Sequence, residues 1–417
     1  MVEGKAFTSE FDVIVAGGGP GGSSTAAFLS DFGKKVLFLE KVTFPRDKTC
    51  GDAISGKSMH IIKKLGLYEK ISKTPNAIVN AIGFSSPNGS YVRIDVPPKA
   101  DGTKEAGFVC RREISDNIYF QNAKSKSNVT TMENTEVMDL IFGEDGKSVI
   151  GVIAKTADGK QQEFYAKVVV GADGANSIIA RKVGVPENDP RHWCLAVRAY
   201  YTGVKDVEDA IELHFNKKVL PGYFWVFPSD DGKANVGLGM LVSDVRKHKI
   251  NLSTLMEDII ANDPLFKERF KDAKRVTPIK GWNLPLASQR KKNYGDGYVL
   301  VGDASSLIDP FTGEGMGNAL TSGYLASQVI NEPFAANDFS EEFLKQYYDR
   351  LWEELGHEVD ISYNMQRYGK HTFLLNLVIG KAARSPEIRE MIAGSFVSEE
   401  ARKGYTSPLF YLKMLFA

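Results

Sequence analysis

Three glycines, Gly17, Gly19 and Gly22, stand between an apolar run and a helix-forming run, and their spacing implies phosphate chemistry. The run FDVIVA (residues 11–16) reads as a short buried strand, and Ser23 to about Asp31 as the helix after it. In that setting Gly17 permits a tight turn, Gly19 lets a pyrophosphate approach the backbone, and Gly22 lets helix and strand pack closely. Pro20 lies in the same turn and is a further candidate contact. The helix start offers unpaired N–H groups and a positive dipole end to phosphates. Glu40 ends the next strand, KVLFLE, 18 residues beyond Gly22, where its carboxylate can accept from a ribose diol. This strand, turn, helix and strand predict a dinucleotide held on a βαβ unit.

Two later segments decide which dinucleotide. One is VVVGADGANSIIAR, Val168 to Arg181; the other is YVLVGDASSLIDPFTGEGMGNAL, Tyr298 to Leu320. In the second, a strand delivers Gly302 and Asp303 at its C-terminal end, where a carboxylate can hold a ribityl hydroxyl. Pro310, Gly313, Gly315, Met316 and Gly317 then form a stretch poor in side chains that leads into a helix. Such a stretch suits a flat ring, and the helix N-terminus favours negative charge on a reduced flavin. FAD is the expected cofactor.

Together the three segments resemble the large FAD-dependent family that includes aromatic hydroxylases, flavin halogenases and geranylgeranyl reductases. The resemblance implies that Asp173 and Gly174 form the family's Asp-Gly element near the FAD and the nicotinamide's path. It also implies that Arg112, in the Arg-x-x-x-Asp run to Asp116, lies against the ribityl or pyrophosphate group; read alone, Arg111-Arg112 is a solvated basic pair. Lys41, Arg46, Cys50 and Gly51 complete the expected cofactor contacts. Within the superfamily, Lys48-Thr49-Cys50-Gly51-Asp52 is similar to the Cys-Gly element of geranylgeranyl reductases. Pro221 to Pro228 (PGYFWVFP) is similar to their Tyr-x-Trp-x-Phe-Pro signature. The resemblance covers residues 11 to 325. It implies hydride transfer from reduced flavin to isolated C=C bonds of a prenyl chain, with Cys50, Asp52, Tyr223 and Trp225 as candidate catalytic residues. Strand alternation places Tyr223, Trp225 and Phe227 on one face, as the wall of an apolar tunnel or as core. Cys50 also reads as a small buried loop residue and Asp52 as a turn carboxylate.

The expected class is α/β (α+β overall). Residues 1–78, 100–188 and 281–330 are assigned to a discontinuous Rossmann-like FAD-binding domain. Residues 79–99 and 189–280 are assigned to an inserted antiparallel-sheet substrate domain, and 331–417 to a helical C-terminal region. That region ends SPLFYLKMLFA, and three roles are open to it: closing the substrate cavity, touching a membrane peripherally, or packing on the FAD domain. Lys+Arg and Asp+Glu are equal at 52 each, so nothing in the balance forecasts the clustered basic face of a nucleic-acid binder, and no nucleic-acid partner is expected. Cys50, Cys110 and Cys194 form no Cys-x-x-Cys pair and the six histidines show no ligand spacing, so no metal is expected. With no apolar leader and no run of about 18 apolar residues, the expected location is cytoplasmic, with peripheral membrane contact open. No second Gly-x-Gly-x-x-Gly follows a strand, so the flavin's reductant is a transiently bound NAD(P)H or another electron donor. The rival readings are a flavin monooxygenase or halogenase, whose Trp-x-Trp-x-Ile-Pro signature is absent, and a non-catalytic FAD-containing carrier of apolar ligands.

Overall fold

The computed structural model describes residues 10–54, 56–98, 107–334 and 337–397. Strand β1 (Phe11–Ala16) runs into the glycine turn, and helix α1 (Pro20–Asp31) starts inside that turn, three residues before the expected Ser23. Proline suits the first helical turn, where its missing N–H has no partner to lose. Strand β2 (Val36–Leu39) then returns parallel to β1. β3 (Ala81–Ser85) and β4 (Tyr91–Asp95) form a hairpin around Pro87-Asn88-Gly89. Next come α2 (Arg112–Lys124), β5 (Val129–Met132), β6 (Gln161–Gly171) and α3 (Ile178–Lys182). The middle of the chain supplies β7 (Trp193–Thr202), β8 (Ala210–His214), β9 (Tyr223–Pro228) and β10 (Lys233–Leu241). After them follow α4 (Leu252–Asn262), β11 (Lys280–Pro285) and β12 (Tyr298–Leu300). Helices α5 (Met316–Asn331), α6 (Glu341–Tyr368), α7 (Thr372–Ala382) and α8 (Pro386–Val397) complete the order.

The first sheet has a parallel core in the order β12-β6-β1-β2-β5. Its strands are continuous apolar runs because both faces are covered. Val13, Phe38, Val168 and Val299 face α1 and the α6 residues Leu344, Tyr347 and Leu351. Ile14, Leu37 and Val169 face an antiparallel pair, Glu136–Phe142 with Val149–Lys155, and Ile179 of α3. The carboxyl ends of β1, β6 and β12 therefore meet at one edge, where ligands of open α/β sheets bind.

The second sheet runs β7-β10-β9-β8-β3-β4, with β11 also beside β7. It is antiparallel except for β8 and β3, which pair in parallel with Leu213 opposite Phe84. β3 arrives from a distant stretch of chain, so no hairpin fixes its direction. β11 straddles the expected boundary at residue 281 and pairs within this second sheet. One face packs Phe224, Val226 and Leu238 on Met256 of α4 and Phe266. The other presents Tyr223, Trp225 and Phe227. The C-terminal helices divide between two of the expected roles. α6 packs on the first sheet, whereas α7 and α8 bring Ile379, Ala382 and Ile388 onto Val92 and Ile94 of the second. The terminal SPLFYLKMLFA lies outside the described residues, among which no helix is long and apolar enough to cross a membrane.

Candidate active site

The glycine turn is shaped by backbone contacts that exclude side chains. Gly17 has φ +111°, and a Cβ there would sit 2.3 Å from the Ala172 carbonyl oxygen. A Cβ on Gly22 would lie 1.9 Å from the Gly17 oxygen. At Gly19 the space is open, with Arg46 Nη2 the nearest atom at 3.9 Å, and no side chain caps α1. Its first N–H groups are left for an external acceptor. Glu40 is buried, and it accepts from Gly18 N at 2.6 Å and Val42 N at 3.1 Å. An ionised carboxylate has about four acceptor positions, so capacity remains for a ribose. Arg46 stacks over Phe44 and pairs with Asp116 at 2.8 Å beside the turn, whereas Lys41 is exposed. Arg112 is no solvated cation: it is buried in a bidentate pair with Asp116, at 2.6 and 2.7 Å.

Farther along the edge, Gly302 takes φ +59° and Asp303 pairs with Lys48 at 3.1 Å. The loop to α5 is fixed by Asp309, which accepts from Phe311 N and Thr312 N, and by Gln366, which donates to the Pro310 carbonyl at 2.5 Å. Gly313 has φ +71°; Gly315 supplies no side-chain cap to α5, but Glu314 Oε1 accepts from Gly317 N at 2.6 Å in its first turn. Asp173 turns away from this edge. Its carboxylate takes Ser177 Oγ at 2.5 Å and Ile178 N at 2.7 Å, capping α3, while Gly174 next to it lines the cavity. The glycine-walled trough, with the uncapped start of α1 at one end and the side-chain-poor loop before α5 at the other, fits an extended dinucleotide with a flat ring, so FAD would lie from Gly19 to Gly315.

The Cys50-Gly51-Asp52 turn lies between this trough and the second sheet. The Cys50 thiol rests against Arg112, yet burial outweighs that cation and pushes its pKa up. Asp52 has φ +67° and is fully buried. Burial pushes its pKa up to about 6, although Arg198, Tyr200 and Asn235 favour the charge. The Tyr200 hydroxyl donates to Oδ2, Asn235 Nδ2 donates to the same oxygen at 2.7 Å, and Arg112 N donates to Oδ1 at 3.3 Å. Arg198, 1% exposed, donates to the carbonyls of Cys50 and Lys48 and to Asp47. Asn235 also donates to the Cys50 carbonyl at 2.8 Å. Sequence reading missed Arg198, Tyr200 and Asn235. Their signal was a polar residue inside an otherwise apolar strand, where a buried charge or amide needs a specific partner.

Across the turn stand the three β9 aromatics, with neighbouring ring centroids 6.1 and 6.2 Å apart. Trp225 Nε1 donates to Asn235 Oδ1 at 3.0 Å, and the Tyr223 hydroxyl donates to the Thr312 carbonyl. Phe227 packs on Gly51, where a Cβ would come within 3.0 Å of its ring. One cavity of about 1210 Å³ joins these parts. It begins at Gly19, Gly302 and Gly315, passes Cys50 and Trp225, and ends among Val92, Ile94, Val378 and Ala382.

Comparison with known proteins agrees with this geometry. The FAD binding domain family model matches residues 10–347. Digeranylgeranylglycerophospholipid reductase 2 of Methanopyrus kandleri is 32% identical over 351 residues, covering 83% of each chain. A geranylgeranyl bacteriochlorophyll reductase-like protein from Thermoplasma acidophilum superposes with a TM-score of 0.81 at 23% identity, covering 94% of this chain and 98% of its own. A flavin-dependent brominase superposes with a TM-score of 0.76 at 22% identity, covering 93% of each chain. At such identities the two structures speak for the fold alone. The family match and the reductase relative show that this chain belongs to the geranylgeranyl reductase family of FAD-dependent oxidoreductases.

Proposed function

We propose that this oxidoreductase saturates isolated C=C bonds of a geranylgeranyl-type prenyl chain. The observation that carries the reading is the cavity's continuity, from the glycine trough past Trp225 into a chamber walled by aliphatic side chains. Gly17, Gly19, Gly22, Glu40, Arg112, Asp303 and the loop from Pro310 to Met316 would hold FAD, which when bound supplies the two-electron reduction of a double bond. NAD(P)H or another donor would recharge it.

An unconjugated alkene has no carbonyl to polarise it, so its reduction needs a proton and relief of developing positive charge. The faces of Tyr223 and Trp225 provide that relief, worth about 1–2 kcal/mol per desolvated ring. Cys50 Sγ keeps its proton because burial raises its pKa, and it lines the cavity between trough and aromatics. Asp52 is protonated below about pH 6 behind the same turn. Tyr223 is less free, since its hydroxyl is committed to the Thr312 carbonyl. Phe227 and the chamber exclude water and hold the chain extended, which contributes the orientation advantage.

The test is anaerobic. Photoreduced holoprotein is mixed with a prenyl diphosphate or prenyl lipid while flavin absorbance and product mass are followed. Flavin reoxidation with a gain of two hydrogens per bond is expected. Turnover that needs oxygen would overturn the reading in favour of a monooxygenase or halogenase. A bound flavin that no donor reduces would leave only an apolar-ligand carrier.

A further inference from the structure

The roof of the aliphatic chamber has an outer side. Helix α7 is apolar almost all round, with Phe373, Leu374, Leu375, Leu377, Val378 and Ile379 in succession around Asn376. Leu375, Val378 and Ile379 line the chamber, so their side of the helix is used. Phe373 is not among them. It is 68% exposed, the highest value for a large apolar side chain among the described residues, and Tyr368 just before the helix is 49% exposed. Tyr368 and Leu374 also line the cavity, so these exposed aromatics stand at its rim. Asn376 accepts from Asn88 N at 3.1 Å, which ties α7 to the β3–β4 turn and fixes which side faces out.

Charge is distributed to match. Between Ile361 and Pro386 the chain carries Arg367, Lys370, Lys381 and Arg384 and no Asp or Glu, although its totals balance at 52 each. Arg367, Lys370 and Arg384 are exposed. An apolar helix with a cationic fringe settles at the headgroup level with its apolar side in the acyl layer. Each basic residue near an anionic leaflet strengthens that partition by about fivefold.

We propose that the surface from Tyr368 to Arg384 docks on an anionic lipid bilayer, so that the cavity rim opens onto the acyl layer and the prenyl chain enters without crossing water. This rests on the prenyl reading of function, and it is tested by a readout that does not depend on turnover. Holoenzyme is sedimented with vesicles of phosphatidylcholine alone and of phosphatidylcholine mixed with phosphatidylglycerol. Binding to the mixed vesicles is expected, with Phe373→Asp and the pair Lys370→Glu, Arg384→Glu each lowering it at least about tenfold. Flavin content and reduction of a short, water-soluble prenyl alcohol should stay at the wild-type level in both variants, and Phe373→Leu should retain binding. Equal binding by wild type and Phe373→Asp, or no binding to either vesicle, overturns the proposal. So does a loss that follows Phe410→Asp in the terminal segment instead of Phe373→Asp. If vesicles bind normally but no prenyl alcohol is reduced, the docking surface stands and the functional reading fails.

Discussion

Asn235 shares one amide among three groups of the candidate site. Its Nδ2 donates to the Cys50 carbonyl and to Asp52, and its Oδ1 accepts from the Trp225 indole. Asn235→Ala would leave the Trp225 indole without its acceptor and take one donor from each of the other two, with Asp52 keeping Tyr200 and Arg112 N and the Cys50 carbonyl keeping Arg198. At about 1–3 kcal/mol for one buried donor left unpaired, the variant should lose roughly 1–3 kcal/mol of stability. The loss should also depend on pH. Burial pushes the Asp52 pKa up to about 6 from its ordinary value of 3.8, so the native state holds the proton to higher pH than the unfolded chain does. Such a group lowers stability as pH rises from the unfolded value through the folded one, and the full penalty applies above it. Removing a donor pushes the folded value higher still. The deficit should therefore be larger at about pH 8 than at about pH 5, as urea denaturation at both can measure. Equal deficits would mean that Asp52 does not depend on Asn235. Cys50, Asp52 and Trp225 were legible in the sequence because they sit in short local patterns. Asn235 was not, because its role is set by a turn 183 residues away in the chain.

At the scale of elements, the β1–α1 turn separates two uses of glycine that look alike in sequence. Gly22 is structural, since a Cβ 1.9 Å from the Gly17 oxygen has only backbone to push against. Gly19 has φ −69°, which alanine adopts readily, and its Cβ would meet nothing nearer than 3.9 Å. Gly19→Ala should fold with stability within about 0.5 kcal/mol of wild type. Its methyl would stand where a pyrophosphate must approach, so flavin content should fall sharply, whereas Gly22→Ala should fail to fold. Circular dichroism with the flavin-to-protein absorbance ratio after reconstitution distinguishes the two. Full flavin content in Gly19→Ala would remove the cofactor from this turn. The βαβ unit was readable because its signals are contiguous: apolar strand, glycine turn, helix, acid at the next strand end. The second sheet's strand order was not, because pairing of Leu213 with Phe84 joins distant stretches of chain that carry no shared local signal. The C-terminal helices were ambiguous for a related reason. α6 has a single apolar stripe that matches the first sheet, but α7 is apolar on most sides, and its pattern does not say which face lies inward.

On the scale of the whole molecule, the cavity exists only because three parts of the chain close around it. The first sheet's strand ends build the trough, the second sheet provides the aromatic wall, and α7 with α8 roof the far end. On the proposed prenyl reading, chemistry and length selection would be carried by different elements. A change in the roof should alter which chain fits without disturbing the trough. Val378 lies on the lining side of α7, one helical turn before Ala382. Val378→Phe would fill space at the far end, at an overpacking cost of about 1–3 kcal/mol. A short prenyl alcohol ends before that point and should react as in the wild type. A geranylgeranyl chain must reach past it, and its kcat/KM should drop at least about tenfold, equivalent to roughly 1.4 kcal/mol of lost transition-state binding. Rates of anaerobic flavin reoxidation across prenyl alcohols of increasing length measure this directly. The decline should set in at one length, because a rigid obstruction acts only on atoms that reach it. A uniform fall at every length would place Val378 in packing that supports the whole cavity, and the far chamber would then not be where the chain's tail lies.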